Sequence, residues 1–133
     1  HMTIVPDGES CYCGKQGCMD AYCCAKCLSD GKLEDFFERL QKGEQEAVRL
    51  WDRYTTYLAI AVNNIHMVLD CDIVLGGYVG SYMGEHIQDI RDKVSERNTF
   101  AEGSSFVKSC RHKTGAAALG ASLKIIELFM EQV

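Results

Sequence analysis

Cys11, Cys13 and Cys18 stand close together, and His1 lies ten positions before the first of them. Thiolates spaced as in Cys11-Tyr12-Cys13-Gly14-Lys15-Gln16-Gly17-Cys18 suit one tetrahedral metal ion better than a disulfide. Cys11 and Cys13 are too near in sequence to pair comfortably, whereas a metal lets short loops curl three sulfurs round a point. Gly14 and Gly17 allow the positive φ angles that such a knuckle needs. His1 completes a Cys3His set, and the predicted occupant is a structural Zn2+.

The other five cysteines carry weaker signals. Cys23 and Cys27, at i and i+4 on a predicted short helix, share a face with no obvious further ligands. Together with Cys24 they are expected to be small, partly buried thiols rather than a second metal site. Cys71 and Cys110 read as core residues beside strands. His66, His86 and His112 lack carboxylate or cysteine partners at ligand spacing and read as surface or core histidines. The sequence contains no Ser-His-Asp pattern, no Walker loop and no internal repeat.

The elements that position these residues belong to a soluble globular chain. Its 133 residues make one domain's worth, 47% hydrophobic and 25% charged, the usual balance for a modest core. A net charge of -5 with scattered Lys and Arg argues against direct nucleic-acid contact from this segment. No apolar run of about eighteen residues exists, so no membrane span is expected. The metal-like cysteine grouping favours a reducing, cytoplasmic setting over a secreted disulfide scaffold.

Periodicity divides the chain into a zinc-binding knuckle with its following helix over 1–28 and a helical and strand remainder over 29–133, together one domain. Ser29-Asp30-Gly31 is a turn and helix-cap signal before a short amphipathic helix over 33–40. The longest periodic segment runs over 44–69, where Ala47, Trp51, Tyr54, Leu58, Ala61, Ile65 and Val68 fall on one face. The stretch 57–62 is apolar nearly all round and should be deeply buried. Ile73-Val74-Leu75 reads as a short buried strand ending in Gly76-Gly77-Tyr78-Val79-Gly80, with a helix over 82–97 behind it. Glycines between a strand and a helix let a ligand approach backbone N–H groups, although many such turns serve packing alone. A second short strand is predicted over 106–109. Thr114 should cap a final helix whose small residues, Gly115 to Ala121, predict tight packing on a sheet.

The stretch from His1 to Asp20 resembles the zinc signature of the ROK family, which contains bacterial sugar kinases and sugar-responsive transcriptional repressors. That signature is Gly-His, about ten residues, then Cys-x-Cys-Gly-x-x-Gly-Cys-x-Glu. The resemblance runs through nearly the whole chain. It implies the C-terminal part of a ribonuclease-H-like, actin-like ATPase lobe: α/β, predominantly helical, with a few short strands and the zinc knuckle. It also implies that His1 and Asp20 face the sugar and that Gly76 and Gly77 approach the nucleotide. Two positions depart from the family pattern: Asp20 replaces the usual Glu, and Tyr78 replaces a third glycine. The family's phosphate-binding Asp-x-Gly-x-Thr loop and catalytic Asp lie upstream of the knuckle.

The function expected on this basis is the ligand-sensing and oligomerisation part of a ROK-type, sugar-responsive transcriptional regulator. Its partners would be a sugar or sugar phosphate in the full-length protein and further copies of itself. The first alternative is the C-terminal part of a ROK sugar kinase for a hexose or N-acetylhexosamine, inactive as this fragment. The second is a stand-alone zinc-supported interaction domain.

Overall fold

The computed structural model describes residues 1–99 and 103–132. The side chain of Thr114, the expected cap of the last helix, lies outside the described residues. A metal-type knuckle at the start runs into α1 (Met19–Cys23), a 3-10 turn (Ala25–Cys27), α2 (Leu33–Gln41) and α3 (Gln45–Leu69). Then follow β1 (Ile73–Leu75), the single turn α4 (Gly77–Gly80), α5 (Met83–Ser95), β2 (Val107–Ser109), a 3-10 turn (Lys113–Gly115) and α6 (Ala116–Met130).

Helix α3 is the central beam. Ala47, Trp51, Tyr54, Leu58, Ala61 and Val62 are buried along it, as its periodicity requires. All of these but Ala61 meet Phe36 and Phe37 of α2, Met83, Ile90 and Val94 of α5, and Val107 of β2 in one core. Polar bonds fix the crossing of α3 and α5. Trp51 Nε1 donates to Asp89 Oδ2 at 3.1 Å, and Lys93 Nζ donates to the Asp52 carbonyl and to Thr56 Oγ1, both at 2.8 Å. The helix ends where Asp70 enters the left-handed region at φ 45°, its N–H bonded to the His66 carbonyl.

The two strands pair in parallel, Ile73 opposite Val107 and Leu75 opposite Ser109, with α4 and α5 forming the crossover. Arg91 of α5 donates twice to the Val107 carbonyl, at 3.0 and 2.9 Å, and so ties the crossover helix to β2.

Several sequence expectations need correction. Strand β1 is open on one face, where Val74 is exposed, because successive strand side chains alternate and only Ile73 and Leu75 turn inward. Val68 and Cys71 are exposed although the helix period and the strand beside Cys71 suggested a core, because the packing against α3 stops before them. Lys32, not a residue of the Ser29-Asp30-Gly31 turn, precedes α2 as its cap and makes no side-chain cap bond. Ser29 Oγ instead accepts from the Gly31 N–H at 3.1 Å. His86 does have a carboxylate partner, Asp89 at 3.6 Å, and its ring packs on Phe37 and Trp51, so the contact belongs to the rim of the core. His66 stacks on Phe106 and lies 4.0 Å from Asp70.

The largest difference is α6. No described residue of that helix is buried, and a Cβ added at Gly120 would meet nothing within 4 Å. Its small residues have no sheet to pack on here, since the described residues supply only two short strands. Among the described residues, no helix is long and apolar enough to cross a membrane.

Candidate metal centre

The knuckle is built by backbone pairing before any side chain is considered. Thr3 bridges Cys18 and Ser10 bridges Gln16, both antiparallel, so two short arms fold over one another. The Cys11 N–H donates to the Lys15 carbonyl at 2.8 Å, and the Gly14 N–H to the Cys11 carbonyl at 3.0 Å, closing the tight loop between the cysteines. Gly14 takes φ 85° at the tip of that loop. Gly17, at φ 71°, is required twice over, because a Cβ there would sit 1.6 Å from the Val5 carbonyl oxygen. The Ile4 and Val5 N–H groups both donate to the Gly17 carbonyl, which holds the first strand-like arm in place.

This frame brings together the four residues that sequence spacing singled out. One ligand atom from each of His1, Cys11, Cys13 and Cys18 lies within 4.8 Å of the other three. Cys11 Sγ is 3.5 Å from His1 Nδ1, and Cys13 Sγ is 3.6 Å from Cys18 Sγ. Metal–ligand bonds of about 2.3 Å to sulfur and about 2.1 Å to nitrogen in a tetrahedron place such atoms roughly 3.6–3.8 Å apart. The donor set therefore fits a four-coordinate ion with little rearrangement. Cys18 and Cys11 are buried while Cys13 and His1 are exposed, so the ion would sit at the edge of the protein.

Asp20 completes the cluster without joining the ligand set. Its Oδ2 is 3.9 Å from His1 Nδ1, and the Asp20 carboxylate beside the Tyr12 hydroxyl raises the Tyr12 pKa. Sequence reasoning missed Tyr12, whose ring also meets His1 edge-on at 5.0 Å. It missed the anchoring of the knuckle on α3 as well. There Glu9 pairs with Arg53, the Glu9 N–H donates to the Tyr22 hydroxyl at 2.7 Å, and Tyr22 packs on Tyr57 with ring centres 4.2 Å apart. Nothing in the local pattern of Glu9 announces a partner 44 positions away.

Gly76 and Gly77 lie in a different part of the fold, at the end of β1. Gly77 adopts φ 75° and starts the single turn α4, while Gly80 is packed so that a Cβ would come within 3.1 Å of the Leu75 carbonyl oxygen. Tyr78 between them points outward and is 77% exposed.

Without metal the thiols pull in different directions. Burial pushes the Cys18 thiol up to about 11, with Cys13 and Cys11 adding to the effect. A hydrogen bond from the Lys15 backbone lowers Cys13. Burial also pushes Cys23 up to about 12 and Cys27 up to about 11, and raises Tyr54. A raised folded-state pKa means that the folded chain keeps its proton after the unfolded chain has lost it. The associated stability is intact below the ordinary thiol value of 9.0 and is lost as pH rises toward about 11. Melting of the chelator-treated chain should therefore fall across that window. Metal loading should reverse the dependence, because bound thiolates must be protonated for the ion to leave, and the loss then comes at acid pH.

The chain is thus a predominantly helical α/β fold with a Cys/His cluster at its start that could hold a metal ion. Residues 1–127 match the ROK family, and the chain belongs to that family. An N-acetylmannosamine kinase from Citrobacter koseri is 26% identical over 132 residues, covering 92% of this chain and 44% of that protein. Its counterpart from Escherichia fergusonii is 30% identical over 89 residues, 60% of this chain and 31% of that protein. The crystal structure of a ROK hexokinase from Thermus thermophilus superposes with a TM-score of 0.78 at 24% identity, over 96% of this chain and 47% of that one. The chain thus spans less than half the length of the relatives it matches.

Proposed function

We propose that this chain is the C-terminal, zinc-bearing part of a cytoplasmic ROK sugar kinase acting on a hexose or N-acetylhexosamine. The observation that carries this reading is the similarity to N-acetylmannosamine kinases across 92% of the chain. It reverses the order expected from sequence, where Asp20 and Tyr78 favoured a regulator. Asp20 no longer weighs against a sugar contact, because its shorter side chain still reaches to 3.9 Å from His1. In this reading zinc is held by His1, Cys11, Cys13 and Cys18 and fixes the loop that carries Asp20. His1 and Asp20 would orient sugar hydroxyls, a carboxylate being a strong acceptor for them. Gly76 and Gly77 would lie against the nucleotide, since Gly77 offers open backbone at the end of a parallel strand.

The regulator remains the second reading, favoured by one observation. The exposed Tyr78 ring stands where the kinases have a third glycine, and a ring there obstructs nucleotide approach.

The test uses the complete parent protein, this chain with its upstream sequence, in a coupled assay for ATP-dependent phosphorylation of N-acetylmannosamine and other hexoses. Turnover is expected with at least one of them, and Asp20→Asn should raise the sugar KM about tenfold or more through loss of a charge-assisted hydrogen bond. The 133-residue chain alone should stay at background, because phosphoryl transfer needs groups from the upstream half. If no sugar is phosphorylated and sugar instead alters the parent protein's affinity for DNA, the regulator reading replaces this one.

A further inference from the structure

Helix α1 stops at Cys23, and the chain turns through a separate 3-10 turn over Ala25–Cys27 instead of continuing as a helix. That break changes which sulfurs meet. Cys24 Sγ lies 3.3 Å from Cys27 Sγ, inside the usual contact distance of two sulfurs, while no such contact joins Cys23 to Cys27 among the described residues. The Cys27 thiol is held by the Ala21 carbonyl at 3.3 Å, and the Cys27 N–H bonds the Cys24 carbonyl at 3.0 Å. Both thiols are partly accessible, and Cys27 lines a small cleft of about 90 Å³ with Glu9, Tyr22, Arg53 and Tyr54. None of these sulfurs belongs to the cluster of His1, Cys11, Cys13 and Cys18.

We propose that Cys24 and Cys27 form a redox-active dithiol that closes reversibly to a disulfide by exchange with a low-molecular-weight disulfide such as oxidised glutathione. Cys24 attacks first, because the Cys27 thiol is engaged as a donor to the Ala21 carbonyl. The Cys24 thiolate displaces one thiolate from the small disulfide and forms a mixed disulfide. The Cys27 thiolate then attacks Cys24 Sγ and displaces the second. Two protein thiols lose two electrons and two protons in all, and the small disulfide becomes two thiols. Closing the bond to about 2.05 Å needs a shift of roughly 1.3 Å between sulfurs already in contact. It also takes the Cys27 thiol off the Ala21 carbonyl at the end of the helix that carries Asp20. This proposal stands independently of the kinase reading.

The test equilibrates the whole chain in a series of oxidised-to-reduced glutathione ratios, followed by alkylation and tryptic mapping. Cleavage after Lys15, Lys26 and Lys32 leaves Cys24 and Cys27 on separate peptides that stay joined only through a disulfide. The joined pair should appear as the series becomes oxidising, with loss of alkylation at Cys24 and Cys27 and at no other cysteine. It should return to two alkylated peptides on re-reduction. Cys23→Ser should keep the joined pair and Cys24→Ser should lose it. The proposal is overturned if both cysteines stay alkylated to the oxidising end of the series. It is overturned equally if Cys24→Ser still yields peptides joined through Cys27, or if Cys11, Cys13 or Cys18 is consumed first in the unsubstituted chain.

Discussion

Replacing Cys13 with serine should weaken zinc binding by at least about a hundredfold and loosen residues 1–18, while α3 keeps its amide protection. The lower bound follows from the cost of removing mere supporting groups around a zinc ligand, about 10–100-fold; losing a thiolate itself costs more. Structural zinc binding is folding free energy, so what the site loses in affinity the knuckle loses in order. The effect should stay local. The knuckle is held on itself by two isolated bridges, whereas α3 draws its stability from Phe36, Phe37, Met83, Ile90 and Val94, none of which contributes to the metal site. Competition with a chromophoric chelator measures the affinity, and hydrogen exchange reads the two regions separately. Equal loss of protection in both would mean that the metal supports the whole domain. An unchanged zinc content would remove Cys13 from the ligand set.

The isolated chain should self-associate at micromolar concentration, and charged residues on α6 should return it to a monomer. Leu119, Leu123, Ile125, Ile126, Leu128, Phe129 and Met130 are all exposed on a helix that is apolar around most of its circumference. A helix of that kind is normally buried. Covering these side chains by about half would contribute on the order of 5–10 kcal/mol of gross hydrophobic free energy. That is comparable to the lower estimates for the cost of association, about 4–15 kcal/mol. Open edges on the two-stranded sheet add a second route to pairing. Light scattering on the chain and on an Ile125→Lys, Phe129→Lys double variant gives the answer. A concentration-independent monomer for the unmodified chain would show that α6 folds back on the domain in solution.

The meeting of His1, Cys11, Cys13 and Cys18 was legible in the sequence because its determinants are local: four side chains within eighteen positions and glycines where the loop must reverse. The long helix was legible through its period, which failed only past Ile65, where Val68 keeps the rhythm but has nothing to pack against. The parallel register of Ile73 with Val107 was not legible, since it depends on a crossover through α4 and α5 rather than on either strand. Nor was the meeting of Cys24 with Cys27. Assuming an unbroken helix put Cys23 opposite Cys27, and only the stop after α1 moves the pairing by one residue. The Cys-x-x-Cys spacing was the available signal. The packing of Glu9 on Arg53 had none, because a surface acid looks the same in sequence whether or not it finds a partner.

The seat of the knuckle on α3 has a mechanical consequence. A continuous helix of 25 residues is a rod about 37 Å long. Arg53 and Tyr57 bear the knuckle on its first half, and His66 touches Phe106 beside β2 near its far end. Rigid rods transmit tilt rather than strain. A tilt of that rod would be felt first at the start of β1, where the Ile73 N–H donates to the Phe106 carbonyl beneath the His66 ring.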